Sequence, residues 1–367
     1  MNLTQKTTKI LSTFSKVSED ELITELKLLK NYENAMQLNG ASSKSIYEWI
    51  DWLKTTRNST VYTCVFKTLK MFTIIPVTSC TCERVFSKLT IVKNKLRSTM
   101  SQERLESLLL LFTEQEIVSK VDLNAVIDEF NSMGMSKSIQ NDLISCISEF
   151  LINQIKNEIK QCKFYSIQID DTTDISQKTQ CSIIIRYVTD KSELIERFLG
   201  FHNVSEDPTA QGLFNLVNSV LHEFDTENKL VGQCYDGACV MSGHLTGLQV
   251  RVKEVAPNAL FTHCLAHRLN LVLQHGCSIN AKCRIFFANL TSIAAYFHNS
   301  TSRTNFVDTI VGKRIPQFVQ TRWSSRSKIL HTIVNEWSGF IDVFDCISKD
   351  PKSSSESIVV LLVILKI

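Results

Sequence analysis

Apolar side chains recur every three or four positions through much of the first half of the chain, which predicts amphipathic helices. The clearest stripe consists of Val85, Leu89, Val92 and Leu96. A second helix is predicted to begin after Ser101, a residue type that caps helix N-termini. Its apolar face carries Leu105, Leu108, Leu109 and Phe112.

Residues 121–160 are again predicted to be helical, with a junction near residues 133–137. After this region, short runs of apolar and β-branched residues predict strands. Helical spacing returns between the later runs, over 209–224, 245–255 and 265–275. Three strands followed by helix, strand, helix and strand is the order of an RNase H-like α/β sheet. We therefore predict a mixed sheet with flanking helices over about 164–264, following a mainly helical segment. The predicted strands are 164–170, 181–188, 194–204, 230–236 and 260–264.

Composition narrows the class of protein. Hydrophobic residues make up 44% of the 367 and charged residues 21%, which is enough for a sizeable core. The net charge of +3 is mildly basic, so any contact with DNA must come from local patches. The 12 cysteines contain no C-x-x-C pair and no signal peptide is evident, so we expect reduced thiols. The apolar run 358–365 is too short to cross a membrane, and no membrane partner is predicted.

Two acidic clusters follow predicted strands. Asp170, Asp171 and Asp174 lie in IDDTTD, and Asp236 ends the strand 230–236. Carboxylates at the ends of neighbouring strands can converge, and their oxygens suit Mg²⁺ or Mn²⁺. A pair of such cations can activate water for phosphodiester cleavage. The alternative is that each strand simply ends in a solvated carboxylate.

Three other groups have possible chemistry. His263, Cys264 and His267 could be half of a zinc site, but no matching half occurs, so no zinc is predicted. Arg322 beside Trp323 suits phosphate contact and base stacking, although a tryptophan is more often a core residue. The basic stretch 84–104 could contact a DNA backbone or be an ordinary solvated helix face.

Taken together, these motifs resemble the hAT family of DNA transposases, in its domesticated-like animal branch. The resemblance to the catalytic region rests on residues 164–176, 234–243, 263–273 and 321–326. Residues 74–111 and 121–133 are similar to the family's C-terminal dimerisation region.

The resemblance implies an RNase H-like core with the catalytic and metal-binding carboxylates Asp170, Asp236 and Glu83. The cofactor would be Mg²⁺ or Mn²⁺ if the protein is active. The stripe residues, namely Val85, Leu89, Leu105, Leu108, Leu109 and Phe112, would mediate dimerisation. Contacts to DNA would come from Cys264, His267, Arg322 and Trp323. The family also implies a nuclear location and partners that are copies of this chain or related hAT proteins.

The order of the segments departs from the family, in which the dimerisation region follows the catalytic core. We therefore expect a rearranged protein whose insertion, beginning near residue 281, is truncated and leaves apolar surface exposed. The expected segments are a polar helical stretch 1–59, the dimerisation region 60–133, the core 137–280 and the insertion 281–367.

Three functional hypotheses follow. The favoured one is a transposase-derived protein that does not cut DNA but dimerises, with DNA binding left open. The second is a metal-dependent DDE transposase or nuclease. The third is a non-functional relic or a mis-joined gene.

Overall fold

The chain forms two compact units, Met1–Leu265 and Ala266–Ile367. The computed structural model describes residues 5–38, 45–94, 97–121, 137–224, 229–316, 318 and 323–349. Leu96, Arg322, the run 358–365 and most of 121–133 lie outside the described residues.

The first unit begins with helices that have their own small core. These are α1 (Gln5–Ser15), α2 (Glu19–Leu38), α3 (Ile46–Thr55) and α4 (Thr63–Ile74). Ser45 and Glu48 form a capping box at the start of α3, which satisfies backbone N–H groups that the helix leaves unpaired. The buried residues shared by these helices include Leu22, Leu53, Val65 and Leu69.

Next come α5 (Cys80–Val92), α6 (Gln102–Thr113), α7 (Gln115–Val118) and α8 (Lys137–Gln161). The predicted cap at Ser101 is confirmed, because its hydroxyl accepts the Arg104 N–H at 3.4 Å. The helix predicted after residue 121 begins at Lys137 within the described residues.

A mixed five-stranded sheet forms the centre of the unit, with the order β3-β2-β1-β4-β5. The β2 strand pairs antiparallel with β1 and β3, whereas β4 pairs parallel with β1 and β5. Ile183, Ile184 and Ile185 are consecutive in β2 and almost fully buried, as expected for a strand that is covered on both faces. The strands are β1 (Tyr165–Thr173), β2 (Thr179–Val188), β3 (Leu194–Asn203), β4 (Leu230–Tyr235) and β5 (Leu260–His263).

Helices α9 (Ala210–Glu223), α10 (Cys239–Ser242) and α11 (Leu248–Val255) connect the later strands. All five predicted strands and the alternation of helix and strand after β3 are confirmed. The α/β class with a mixed sheet is therefore correct.

The apolar stripe of α5 and α6 is not an exposed surface, so its predicted use as a dimer interface needs correction. Val85 and Leu89 are each 3% exposed, and Leu105 and Leu109 are fully buried. They belong to one hydrophobic cluster with the strands of the sheet and α8. Leu108 and Phe112 are only half-buried. The expected boundary between 60–133 and 137–280 therefore does not separate two cores.

The second unit is helical. It contains α12 (Leu265–Ile279, which begins at the last residue of the first unit), α13 (Ala281–His298), α14 (Thr301–Ile310), α15 (Trp323–Asn335) and α16 (Trp337–Lys349). Helices α13 to α16 share a core that includes Phe297, Ile329 and Phe340. Helix α12 has no buried residue, although it lies within the expected core 137–280 and not in the insertion for which apolar exposure was expected. Among the described residues, no helix is both long and apolar enough to span a membrane.

Candidate functional site

The two acidic clusters meet at one end of the sheet. Asp170 lies near the end of β1, and Asp236 directly follows β4. The two strands are parallel neighbours in which Gln168 pairs with Cys234. Two residues further along each strand, the register therefore brings Asp170 and Asp236 to the same edge.

Glu83 reaches this edge from the first turn of α5, a helix that packs against β1 and β2. Cys82 anchors that turn, because its side chain is fully buried in the core of the sheet. Glu83 and Asp236 are thus both close enough to Asp170 to raise its pKa, although Glu83 precedes Asp170 by 87 residues.

Polar contacts fix both ends of α5 on the sheet. At its start, the Thr81 hydroxyl donates to Glu196 of β3. Glu196 also accepts bonds from Arg186 at 2.8 Å and Gln168 at 2.7 Å. Just beyond its end, the Lys93 ammonium binds Asp174 at 2.7 Å. Sequence reasoning missed these positioning residues, because a polar residue inside a strand gives no sign of its partner on a distant helix.

Burial and nearby like charges make Asp170 an unusual carboxyl group. Burial is the main cause that raises the pKa of Asp170 to about 8. The charges of Asp236, Glu83 and Asp171, in that order, raise this pKa further. A hydrogen bond from the Asp171 N–H, at 3.1 Å, acts in the opposite direction. Asp170 is therefore largely protonated at neutral pH.

The arrangement has the oxygen donors that a hard cation prefers, but the side chains do not form a metal centre as they lie. Across the described ranges, no group of three or more His, Cys, Asp or Glu side chains is placed to hold a metal ion. One oxygen of Asp236 instead accepts the Ala238 N–H at 3.0 Å. The chemistry that this geometry supports directly is the uptake and release of a proton at Asp170.

The residues expected to contact DNA do not all have suitable positions. Cys264 is 1% exposed and accepts the Ser79 N–H at 3.4 Å, so its side chain belongs to the core. His267 lies half-buried in α12. Trp323 begins α15, whereas Arg322 lies outside the described residues.

The basic stretch 84–104 is also not a continuous cationic face. Lys93 is buried against Asp174, and Lys88 donates to the Phe112 carbonyl at 3.1 Å. Arg84 lies 3.7 Å from Glu196, so part of its charge is offset.

Comparison with known proteins identifies two regions. Two family models match the chain. The model of the hAT family C-terminal dimerisation region matches residues 20–117. The model described as ZMYM1/FAM200, RNase-like domain, matches residues 92–247. The chain therefore contains transposase-derived segments, and the dimerisation match precedes the RNase-like match along it.

Curated relatives include the 52 kDa repressor of the inhibitor of the protein kinase. The human protein (Homo sapiens) is 20% identical over 236 residues, which is 60% of this chain and 30% of that protein. The mouse protein (Mus musculus) is 21% identical over 216 residues, covering 59% of this chain and 28% of that protein. The chain thus spans less than a third of the length of these relatives.

Proposed function

We propose that the chain is a transposase-derived protein that associates with copies of itself or with related hAT proteins, and that does not cut DNA. The match of residues 20–117 to a dimerisation region supports self-association. Because Val85, Leu89, Leu105 and Leu109 are buried in the core, we expect the association to use a more exposed surface.

The observation that carries this proposal is the exposed apolar face of α12. Leu269, Val272 and Ile279 are 59%, 66% and 72% exposed, respectively. Their spacings of three and seven residues place them along one stripe of the helix. Burying an aliphatic side chain of this size contributes roughly 1.5 to 3 kcal/mol. Covering three of them by a second copy is thus a substantial driving force for association.

Analytical ultracentrifugation of the full chain, across a range of concentrations, tests this proposal. We expect Val272→Asp to shift the population towards monomer. Ser278→Asp is the matched control, because it adds the same charge to the same helix about a third of a turn away. A wild-type chain that stays monomeric at every concentration would exclude self-association. Equal effects of the two substitutions would exclude this stripe.

A second candidate function, metal-dependent cleavage of phosphodiester bonds, is favoured by the grouping of Asp170, Asp236 and Glu83. A divalent cation would offset the repulsion that raises the pKa of Asp170. The experiment is calorimetric titration of the protein with Mn²⁺, using Asp170→Asn/Asp236→Asn as the control. Binding that the double variant loses would favour this candidate, and a DNA nicking assay would then follow. No binding to a folded sample would eliminate it.

A nuclear location and contact with DNA are further parts of the proposal, and both come from the transposase resemblance. The rearranged order is a proposal as well. Sequencing of full-length transcripts would test it, because one uninterrupted message must join the dimerisation match to the RNase-like match. Separate messages for the two regions would instead show a mis-joined gene.

A further inference from the structure

A second charged region lies at the other end of the sheet, beside a cavity of about 350 Å³. Lysines from three separate parts of the chain line it. Lys16 follows α1, Lys67 and Lys70 lie on α4, and Lys163 lies two residues before β1. The fold therefore gathers four cations that are far apart in the sequence.

The four lysines lack enough carboxylates to balance them. Asp190 is the only acidic residue among the described residues that line the cavity. Within the described part of the chain, none of the four ammonium groups lies in an ion pair.

Lys16, Lys67 and Lys163 are exposed and Lys70 is half-buried, whereas two buried cations elsewhere in the first unit have carboxylate partners. Lys93 has Asp174 as a partner, and Arg197 has Glu114 and Glu158. The lining of the cavity therefore carries an excess of positive charge, which an anionic ligand could balance.

Aromatic rings help to hold two of the ammonium groups. Lys16 Nζ lies 5.6 Å from the ring centroid of Phe164, and Lys70 Nζ lies 5.2 Å from that of Phe66. Such cation–π contacts restrict the lysine side chains without neutralising them. Burial lowers the pKa of Lys70, and the charge of Lys163 lowers it further, although Asp190 acts in the opposite direction. A bound anion would relieve both unfavourable effects.

We propose that this cavity binds phosphate groups. Several ammonium groups suit an anion with more than one charge, and lysine commonly binds phosphate as a point charge. The volume lies at the lower end of the range for small-ligand sites. The site is separate from the acidic cluster, because Phe164 precedes Asp170 by six residues, or roughly 20 Å along a strand.

Calorimetric titration of the full chain with sodium pyrophosphate, in the absence of divalent cations, tests the proposal. Lys70→Gln/Lys163→Gln should weaken binding by at least about tenfold, since it removes two charge-assisted contacts. The control is Lys27→Gln/Lys253→Gln, which removes the same charge from two exposed lysines outside the cavity. If the first double variant does not fold, the exposed Lys67→Gln replaces it and should also weaken binding.

The proposal is wrong if the wild-type protein does not bind pyrophosphate, if the cavity variants bind as well as wild type, or if the control loses as much affinity. A competition arm identifies the source of the phosphate. A single-stranded DNA oligonucleotide that displaces pyrophosphate would point to a nucleic-acid backbone. Binding of pyrophosphate without such competition would point to a small phosphorylated compound.

Discussion

Two aspartates only four residues apart, Asp170 and Asp174, have opposite surroundings. Asp174 accepts the Lys93 ammonium at 2.7 Å and the Gln180 amide at 3.0 Å. Burial alone would raise the pKa of Asp174, but these bonds and those from Ser176 and the Lys178 N–H lower it. Asp170 is buried near other carboxylates, and its pKa is raised.

The opposite pKa shifts identify Asp174 as a structural carboxylate and Asp170 as a candidate functional one. The Lys93–Asp174 pair joins the end of α5 to the turn after β1, and both side chains are at most 3% exposed. Asp170 contributes no such link, and its ionised form destabilises the fold. An arrangement that costs stability is typical of functional sites, where groups are placed for chemistry.

The largest effect on the free energy of unfolding is expected when the Lys93–Asp174 ion pair is broken. Lys93→Met would leave Asp174 buried without its cation, which costs about 3 to 5 kcal/mol. Urea unfolding at pH 7 measures the loss of free energy of unfolding. Lys120→Met is the control, because the Lys120–Glu116 pair is exposed and its loss should cost under about 0.5 kcal/mol. A loss below about 1 kcal/mol for Lys93→Met would show that the pair is not structural.

Substitution of Asp170 is expected to increase the free energy of unfolding, whereas loss of Lys93 decreases it. The folded-state pKa of about 8 lies above the unfolded value, so the folded state holds the proton more tightly. The contribution of Asp170 to stability should therefore fall as the pH rises from about 4 to about 8. Asp170→Asn removes this cost and should stabilise the protein by about 1 to 3 kcal/mol at pH 8.5, but little at pH 4.

Comparison of unfolding free energies of wild type and variant at the two pH values measures this change. Asp174→Asn provides the contrast, because it should destabilise the protein at pH 8.5. If Asp170→Asn were equally destabilising at that pH, the carboxylate would be structural after all.

The smallest effect is expected at Glu83. Glu83→Gln removes one of the charges near Asp170, so the pKa of Asp170 should fall by less than about one unit. NMR titration of the Asp170 carboxyl carbon would show the change. The exposed Glu103→Gln should leave the titration unaltered. An unchanged Asp170 pKa in Glu83→Gln would mean that α5 does not place Glu83 near the cluster in solution.

The sequence predicted the sheet well, because each strand is a short run of apolar and β-branched residues. The approach of Glu83 to Asp170 and Asp236 followed from resemblance, since no periodicity connects residues 87 positions apart. The residues that individual side chains contact in the folded protein could not be predicted from the sequence. The stripe through Leu105 and Leu109 marks an apolar face, but helical spacing does not reveal whether another chain or the same chain covers it. Lys93 was similarly interpreted as part of a basic face.

Because α5 and α6 share a core with strands that follow much later in the chain, their apolar faces cannot be buried until those strands have been synthesised. Thr81 meets Glu196 across 115 residues, and Lys93 meets Asp174 across 81. At about 5 to 20 residues per second, a ribosome needs roughly 4 to 23 s to make the intervening chain. For that time the apolar stripe has emerged without the strands that cover it. We therefore expect chaperones that bind exposed apolar helices to associate with the nascent chain during this interval.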